Sequence, residues 1–487
     1  MMRAIGAAAL AFGLGLAGAR GQAQAQAQGD VTQYHGDAAR SGVFVLPGMT
    51  PARVAAMSPA PRWRAGVAGP VYAQPLLWTA PDGRRLVIVA TEQDAVHALD
   101  AANGASVWTR VLGAPAPPSS LPCGDIDPLG ITGTPVIEAG VLYLDAMVLR
   151  GGGAPRHLVF ALDAGDGSVR PGWPVDVQAA LAAAGENFVA ANQGERGALA
   201  AAGGKIFVPY AGHFGDCAFY HGWVVGIPMR DPASVHGWET RARGGGIWAP
   251  AGIVSDGASL YVATGNTIGA DGRFGDGEAV IRLGLGMDFS GRTEDFFAPR
   301  GWPELDDEDL DLGATNPVLA GRFMLALGKD GNAYLLDRSD LGGIGGALAI
   351  VPVSAEPIRT ATARYSVNGA DYVVFQGDGI GCPGGRSGDL VALRIAPGPP
   401  ASVAVAWCAE EHGRGAPIVT TSGNGGDPIV WAVGAEGDER LRAFRGSDGA
   451  VLFTSAPMSL VRRFETPIAA GRRLYVAADS ALYAFGF

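Results

Sequence analysis

One short pattern recurs about eight times along the chain: an apolar strand, a tight polar turn, a second strand and then an aromatic outer strand. The clearest copy covers residues 85–90, turns at 92–94, returns over 95–100 and ends at Val107-Trp108. A unit this small cannot bury its own hydrophobic face, so the copies must pack against one another, and antiparallel copies arranged radially form a β-propeller. The repeat therefore predicts an all-β fold of eight four-stranded antiparallel blades, with any functional site near the propeller axis.

Proline marks the start of the innermost strand in five blades. Because proline lacks an N–H, it is expected at the first residue of a strand and not inside a fully paired one. The five marks are Gln74-Pro75-Leu76, Thr134-Pro135-Val136, Asn316-Pro317-Val318, Ala416-Pro417-Ile418 and Thr466-Pro467-Ile468. Two further blades begin near Gly197 and Trp248, and the remaining blade is inferred from strands at 372–375 and 390–393.

The two ends of the propeller are expected to meet in one blade. The last blade ends after Phe485 without an outer strand, and residues 62–64 can supply it from the N-terminal side. This pairing closes the ring and hides both sheet edges. Eight repeats of roughly 50 residues account for most of the chain, so one domain is predicted over residues 31–487.

The N-terminal residues have the pattern of an export signal. Arg3 precedes an apolar run, and small residues follow it, so residues 1–19 are interpreted as a signal peptide and 20–30 as a flexible leader. The run is too short to span a bilayer, and no cysteine follows closely, so no membrane anchor is predicted. A net charge of -11 and the lack of a basic run argue against a nucleic-acid partner. A periplasmic or secreted protein is expected.

Export would place all four cysteines in an oxidising compartment. Two disulfides have three possible connectivities. Cys382 and Cys408 lie in the same predicted blade, which favours that pair, and Cys123 would then pair with Cys217. The sequence has no C-x-x-C-H motif, so covalently attached haem is not predicted and any electron acceptor is a separate molecule.

Residues 96–108 resemble the repeat of pyrroloquinoline-quinone (PQQ) propellers, in which aliphatic-Ala-Leu-Asp is followed by Gly and then Trp. Quinoprotein alcohol dehydrogenases of this family carry a tryptophan that stacks under the quinone and a later Gly-Asn whose amide oxygen binds the metal. Gly245-Gly246-Ile247-Trp248 and Thr264-Gly265-Asn266 resemble these motifs. The resemblance implies that Trp248 supports PQQ and that Asn266 is a metal ligand, since a hard cation requires oxygen ligands.

Two later segments extend the resemblance. An acidic run ending at Asp309 and Asp311 precedes Asn316-Pro317-Val318, which is similar to the segment that supplies the dehydrogenases' catalytic base. It implies that Asp309 is the base and a metal ligand, and that Asp311 matches the extra carboxylate of the lanthanide-using branch. Residues 328–338 resemble the segment whose lysine bonds the quinone oxygens, which implies that role for Lys329.

The resemblance implies a dehydrogenase that oxidises an alcohol or a sugar with PQQ and calcium or a lanthanide, passing electrons to a soluble cytochrome c. The alternative is a non-catalytic propeller scaffold that binds protein or carbohydrate. Two departures favour the scaffold: Cys123 stands where the dehydrogenases have two adjacent cysteines, and their metal-binding glutamate has no match, with only His213 and Asp216 nearby. The substrate and the oligomeric state cannot be inferred from the sequence.

Overall fold

The computed structural model describes residues 29–423 and 427–487. These residues form eight antiparallel blades around one axis, which confirms the predicted all-β, eight-bladed propeller. Each blade has four antiparallel strands, which are arranged one after another from the axis to the outside of the ring. The predicted signal peptide, residues 1–19, lies outside the described residues.

The strands of the first half of the ring follow the chain order. Two strands precede blade 1, namely β1 (Val43–Val45) and β2 (Trp63–Gly66). Blade 1 comprises β3 (Leu76–Thr79), β4 (Arg85–Thr91), β5 (Ala95–Asp100) and β6 (Ser106–Val111), and blade 2 comprises β7 (Val136–Glu138), β8 (Val141–Arg150), β9 (Ala154–Asp163) and β10 (Val175–Asp176). Blade 3 comprises β11 (Ala200–Ala202), β12 (Lys205–Tyr210), β13 (Trp223–Pro228) and β14 (His236–Glu239), and blade 4 comprises β15 (Val254–Ser255), β16 (Ser259–Thr264), β17 (Ala279–Gly284) and β18 (Phe296–Ala298).

The second half continues in the same way. Blade 5 comprises β19 (Val318–Ala320), β20 (Phe323–Leu327), β21 (Asn332–Asp337) and β23 (Ala349–Pro352), and blade 6 comprises β24 (Ala363–Val367), β25 (Ala370–Gln376), β26 (Leu390–Ala396) and β27 (Ser402–Ala409). Blade 7 comprises β28 (Ile418–Thr421), β29 (Ile429–Val433), β30 (Leu441–Arg445) and β31 (Val451–Thr454), and blade 8 comprises β32 (Ile468–Ala470), β33 (Arg473–Ala478) and β34 (Ala481–Gly486). The short strand β22 (Gly343–Ile344) pairs with β18 and is added to blade 4.

The ring closes as predicted, because β2 pairs antiparallel with β34 and becomes the outer strand of blade 8. Within the described residues, three short α-helices lie in the connections: α1 (Pro51–Ala55), α2 (Val177–Ala183) and α3 (Trp302–Glu308). Single 3₁₀ turns lie at Tyr34–Gly36, Pro118–Ser120, Ala190–Asn192, Thr293–Asp295, Leu312–Ala314 and Pro383–Gly385. No helix of the described residues is long and apolar enough to cross a membrane.

The repeat's tryptophan, where a blade carries it, packs on the neighbouring blade. Trp108 of blade 1 donates its Nε1–H to the Ala164 carbonyl of blade 2 at 3.2 Å. A Cβ on Gly167 would lie 2.7 Å from the Trp108 ring, so the ring requires a glycine in the neighbouring turn. The same glycine contact joins Trp63 to Gly104 across the ring closure. The tryptophan and the glycine of the repeat therefore form a contact between neighbouring blades, and their spacing in the sequence reflects this contact.

Both predicted disulfides are present. Cys382 and Cys408 are joined within blade 6, and Cys123 and Cys217 join the loop that enters blade 2 to a loop of blade 3. No described cysteine is free. Each bridge restricts the unfolded chain and so stabilises the fold.

The segment from residue 31 to 46 closes one end of the axis. Val31 pairs with Leu77 of blade 1, and β1 pairs parallel with β28 of blade 7. Between them Tyr34 packs at the axis, in a cluster with one alanine from each of blades 3, 4, 6 and 7: Ala198, Ala251, Ala361 and Ala416. Asp30, at the end of the predicted leader, accepts a 2.6 Å hydrogen bond from Thr79 Oγ1. We call residues 31–46 the axial plug, a feature that the sequence did not predict.

Buried carboxylates cross-link the loops between blades. Glu92 is fully buried, and its Oε2 accepts a 2.7 Å hydrogen bond from the Gly130 N–H of the next blade. Burial raises the pKa of Glu92 to about 7 from an ordinary value of 4.5. Its neighbour Asp94 has a pKa raised to about 8 by burial and by the Glu92 charge.

These carboxyl groups predict a specific pH dependence. Glu92 ionises near pH 4.5 in the unfolded chain and near pH 7 in the folded one, so its contribution to the free energy of unfolding is complete below the lower value and declines as the pH rises through the upper value. The shift corresponds to on the order of 3 kcal/mol. Glu92→Gln is therefore expected to lessen the loss of stability between about pH 5 and pH 8, measured by urea unfolding. The exposed Glu410→Gln is the control, and an equal effect of both variants would contradict the assignment.

Candidate functional site

A cavity of about 910 Å³ lies at the centre of the ring, where residues of all eight blades line it. Its wall is formed by the loops that enter the inner strands of all eight blades. One residue from each loop, in blade order, is Tyr72, Asp125, Arg196, Trp248, Asp309, Arg359, Arg414 and Arg463. Side chains far apart in sequence therefore meet at one place, as the radial repeat predicts.

The predicted site residues come from two adjacent blades and lie together. Trp248 is in the loop entering blade 4, and Asn266 follows β16 of the same blade. Asp309 caps the C-terminus of α3 with a left-handed φ of 54°, and Lys329 lies in the hairpin between β20 and β21. Trp248, Asp309, Asp311 and Lys329 line the cavity, and Asn266 is hydrogen-bonded to Asp309 at its edge.

Asn266, Asp309, Asp311 and Lys329 form one hydrogen-bonded cluster, which we call the carboxylate cluster. Asn266 Nδ2 and Lys329 Nζ both donate to Asp309 Oδ1, at 2.9 Å and 2.8 Å. Lys329 also forms an ion pair with Asp311 Oδ2, and the Asn266 N–H donates to Asp311 Oδ1 at 2.9 Å. Burial lowers the pKa of Lys329, but Asp311 and Asp309 outweigh this, so the pKa lies above its ordinary value. The lysine is a fixed positive charge.

The two carboxylates differ in what they can do. The Asp311 side chain is 6% exposed and spends both oxygens on the lysine and on backbone, whereas the Asp309 side chain is 66% exposed. Both donors to Asp309 reach Oδ1, so Oδ2 has no hydrogen-bond partner among residues 29–423 and 427–487. Asp309 therefore presents a free carboxylate oxygen to the cavity, and Asp311 holds the lysine in place.

Two acceptor atoms beside the carboxylate cluster are buried without a donor. Asn266 Oδ1 and Glu278 Oε1 have no hydrogen-bond partner within the described part of the chain. Glu278 Oε2 accepts from the Leu312 N–H at 2.6 Å, and burial followed by the Asp311 charge raises its pKa. An unsatisfied buried oxygen is costly unless a proton or a cation reaches it.

The indole of Trp248 is stacked rather than bare. The Arg196 guanidinium carbon lies 5.3 Å from the Trp248 ring centroid and 5.2 Å from that of Phe464, so the cation sits between two aromatic rings. Tyr220 meets the indole edge-on, with 6.0 Å between ring centroids. The cavity thus has an aromatic wall beside the carboxylate cluster.

Glycine is required where the blade-4 hairpin meets Asp311. A Cβ on Gly265 would lie 1.9 Å from Asp311 Oδ1 and 2.9 Å from Trp248 Cδ1. Since Asp311 is held by Asn266 and Lys329, it cannot move away without losing a buried contact. Gly265→Ala is therefore expected to destabilise the fold by about 1–3 kcal/mol.

Chemical unfolding measures this difference against Gly66→Ala in β2, where a new Cβ meets nothing within 4 Å. The control is expected to be neutral. If Gly265→Ala unfolded at the same denaturant concentration as the control, the close approach of Asp311 would be refuted.

The sequence reasoning missed four arginines in the cavity wall: Arg196, Arg359, Arg414 and Arg463. Arg414 stands three residues before Pro417, one of the prolines that mark an inner strand. The signal was available, because the residues just ahead of each inner strand point to the axis in every blade. It also missed the role of Phe464, which precedes Pro467 by the same interval.

Comparisons with known proteins agree with this fold. A family model described as outer membrane protein assembly factor BamB matches residues 51–210. Among solved structures, quinohemoprotein alcohol dehydrogenase from Comamonas testosteroni is 16% identical with a TM-score of 0.66, covering 97% of this chain and 84% of that one. A europium-containing methanol dehydrogenase is 13% identical with a TM-score of 0.64, covering 94% and 98%.

BamB from Moraxella catarrhalis is 14% identical with a TM-score of 0.51, covering 87% of this chain and all of that one. No curated protein matches the chain. At these identities the structural likeness establishes the fold, and both enzymes and a protein named as an assembly factor share it. The repeat signature, the family model matched over residues 51–210 and the eight-bladed ring together show a β-propeller with a PQQ-like repeat.

Proposed function

We propose that the protein is a quinoprotein dehydrogenase that oxidises a hydroxyl group of an alcohol or a sugar in the axial cavity. The observation that carries this proposal is the free Oδ2 of Asp309, held at the cavity wall by Asn266 and Lys329. A positioned carboxylate of this kind is suited to accept the hydroxyl proton of a bound substrate. The dehydrogenase names of two structural relatives point the same way.

The donor set suits a hard cation. Asn266 Oδ1 is an orphaned buried oxygen, and the same residue contacts the Asp309 carboxylate through Nδ2 and the Asp311 carboxylate through its backbone N–H. All three are oxygen ligands of the kind that calcium and lanthanides prefer. Within the described ranges no three His, Cys, Asp or Glu side chains converge on one point, so such an ion would also rely on cofactor or solvent oxygens.

The cavity wall also suits a planar anionic quinone. Trp248 offers an aromatic face, and Lys329 and Arg196 offer positive charge beside it. The Arg196 side chain must move away from the Trp248 indole before a quinone ring can stack there. PQQ, when bound, would accept the hydride of the carbinol carbon, and a calcium or lanthanide ion would polarise the substrate oxygen.

The protein's own residues would then have distinct tasks. Asp309 Oδ2 takes the hydroxyl proton as the carbinol carbon loses its hydride, so the substrate leaves as a carbonyl compound. Lys329 stabilises the negative charge that develops nearby, and its own position depends on Asp311. Trp248 excludes water from one side of the reacting groups.

Reconstitution tests the proposal directly. Purified protein is incubated with PQQ and either calcium or a lanthanide, and quinone absorbance and dye reduction with a panel of alcohols and sugars are measured. We expect bound quinone absorbance and substrate-dependent dye reduction. A protein that binds no PQQ under any metal condition would reject the dehydrogenase proposal.

A non-catalytic scaffold is the second candidate. It is favoured by the match to the BamB family model and by the single cysteine, Cys123, where the dehydrogenases carry an adjacent pair. Such a scaffold would bind protein or carbohydrate without PQQ, so the same reconstitution distinguishes the two. A soluble cytochrome c as electron acceptor, and a periplasmic or secreted location, belong to the dehydrogenase proposal. The two disulfides support the location.

A further inference from the structure

Three arginines occupy equivalent positions in three blades and point into one cavity. Each stands two residues before one of the alanines that pack around Tyr34. The pairs are Arg196 with Ala198, Arg359 with Ala361, and Arg414 with Ala416. All three arginines line the axial cavity. We call them the arginine triad.

The other cations of the cavity wall are neutralised, but the arginine triad is not. Lys329 pairs with Asp309 and Asp311, and Arg463 pairs with Asp125 and Glu436. In contrast, no described side chain or carbonyl accepts a hydrogen bond from the side chain of any member of the triad, and none forms a salt bridge with it. Each guanidinium group carries five N–H donors in a fixed fork. Three guanidinium groups without a hydrogen-bond acceptor or a salt bridge could therefore bind an anionic ligand in the cavity.

Two members of the triad, Arg359 and Arg414, enter the cavity from the adjacent blades 6 and 7. Burial lowers the pKa of Arg359, and the Arg414 charge lowers it further, whereas Asp309 acts in the opposite direction. Arg359, Arg414 and Asp309 all line the same cavity. Two like charges that share a cavity repel each other unless an anion lies between them.

We propose that the substrate is itself an anion: a hydroxy acid or sugar acid whose carboxylate binds Arg359 and Arg414 while its hydroxyl group faces Asp309. This inference rests on the proposed function for the hydroxyl part, and on the arginines alone for the carboxylate part. A single guanidinium group can bind a carboxylate through two parallel N–H···O hydrogen bonds, so two arginines offer more donors than one carboxylate needs. A singly charged carboxylate fits better than a phosphate dianion, because Glu356 and Asp378 also face this part of the cavity.

Isothermal titration calorimetry tests the carboxylate part without reference to turnover. D-Gluconate, neutral D-glucose and D-glucose 6-phosphate are titrated into the full-length protein, with and without PQQ. We expect gluconate to bind at least about tenfold more tightly than glucose, and binding to weaken as salt is added. Arg359→Gln and Arg414→Gln should each raise the gluconate Kd by about 10- to 100-fold and leave glucose binding unchanged.

Arg110→Gln in the exposed outer strand β6 is the matched control, since it removes the same charge far from the axis. All variants should keep the parent melting temperature, because both cavity arginines are solvent-exposed. Gluconate and glucose that bind alike, or gluconate binding that survives both arginine substitutions, would overturn the inference. Tighter arginine-dependent binding of glucose 6-phosphate would overturn the choice of a carboxylate.

A titration with PQQ separates this inference from the proposed function. PQQ carries carboxylates of its own, so a loss of PQQ affinity in both variants with no loss of gluconate affinity would assign the arginines to the cofactor and refute the substrate assignment. Arginine-dependent gluconate binding in a protein that never reduces dye would reject the dehydrogenase and retain the anion site.

Discussion

Replacing Asp309 by asparagine is expected to lower dye reduction by the PQQ-loaded protein by about 100- to 10,000-fold. Asparagine keeps the size and the oxygen that Asn266 and Lys329 contact, but it cannot take a proton from a substrate hydroxyl. Because the side chain is largely exposed, the fold should tolerate the change. Initial rates with saturating substrate measure the effect, and quinone absorbance reports whether PQQ is still bound.

Asp307→Asn is the matched control for this experiment. It removes one carboxylate from the same acidic segment, but Asp307 is exposed on α3 and does not line the cavity. Its rate should stay within about twofold of the parent protein, as expected for a surface change remote from the reacting atoms. If Asp309→Asn reduced dye as fast as Asp307→Asn while binding PQQ, Asp309 would not be the proton acceptor.

Arg40→Ala is expected to reduce the free energy of unfolding by about 3–6 kcal/mol, from two charge-assisted hydrogen bonds of about 1.5–3 kcal/mol each. Arg40 belongs to the axial plug and is only 2% exposed. Its Nη2 donates to the Leu199 carbonyl at 2.6 Å, and its Nε donates to the Ile253 carbonyl at 3.1 Å. Burial lowers the pKa of Arg40 to about 10, so it stays charged at neutral pH.

Urea unfolding measures this loss, and Arg53→Ala in α1 provides the comparison. Arg53 is exposed and contacts only the nearby Gly48 carbonyl at 3.0 Å. Its removal should change stability by less than about 0.5 kcal/mol. Equal stability of the two variants would mean that the plug does not hold blades 3 and 4 together.

The fold was predictable because its information is local and repeated. The same tryptophan–glycine contact between blades recurs in three copies: Trp63 on Gly104, Trp108 on Gly167 and Trp407 on Gly449. A proline such as Pro135 or Pro467 fixes where an inner strand begins. Many copies of a weak signal add up, so blade number and ring closure could be inferred without coordinates.

The candidate site was predictable only in part. Trp248, Asn266, Asp309, Asp311 and Lys329 lie in motifs long enough to be matched to a family, and the structure brings them together. The axial plug has no such motif. Its contacts join Arg40 to Leu199 and Ile253, more than 150 residues away, and no sequence period signals a contact of that range.

The arginine triad was overlooked for a related reason. Arg196, Arg359 and Arg414 are single residues in loops of different sequence, and each alone looks like an ordinary surface cation. Only the closed ring places them around one cavity, where none of them forms a salt bridge with a described residue. Their significance comes from what they lack, which a linear sequence does not reveal.

The axial plug turns a potential tunnel into a blind vestibule. Because Tyr34 closes one end of the axis, a molecule that binds in the cavity enters and leaves through the same opening. Two reactants that need the same part of this cavity would therefore bind one after the other. In steady-state kinetics such alternation gives parallel lines in double-reciprocal plots, whereas a pore open at both ends would let the two arrive from opposite sides.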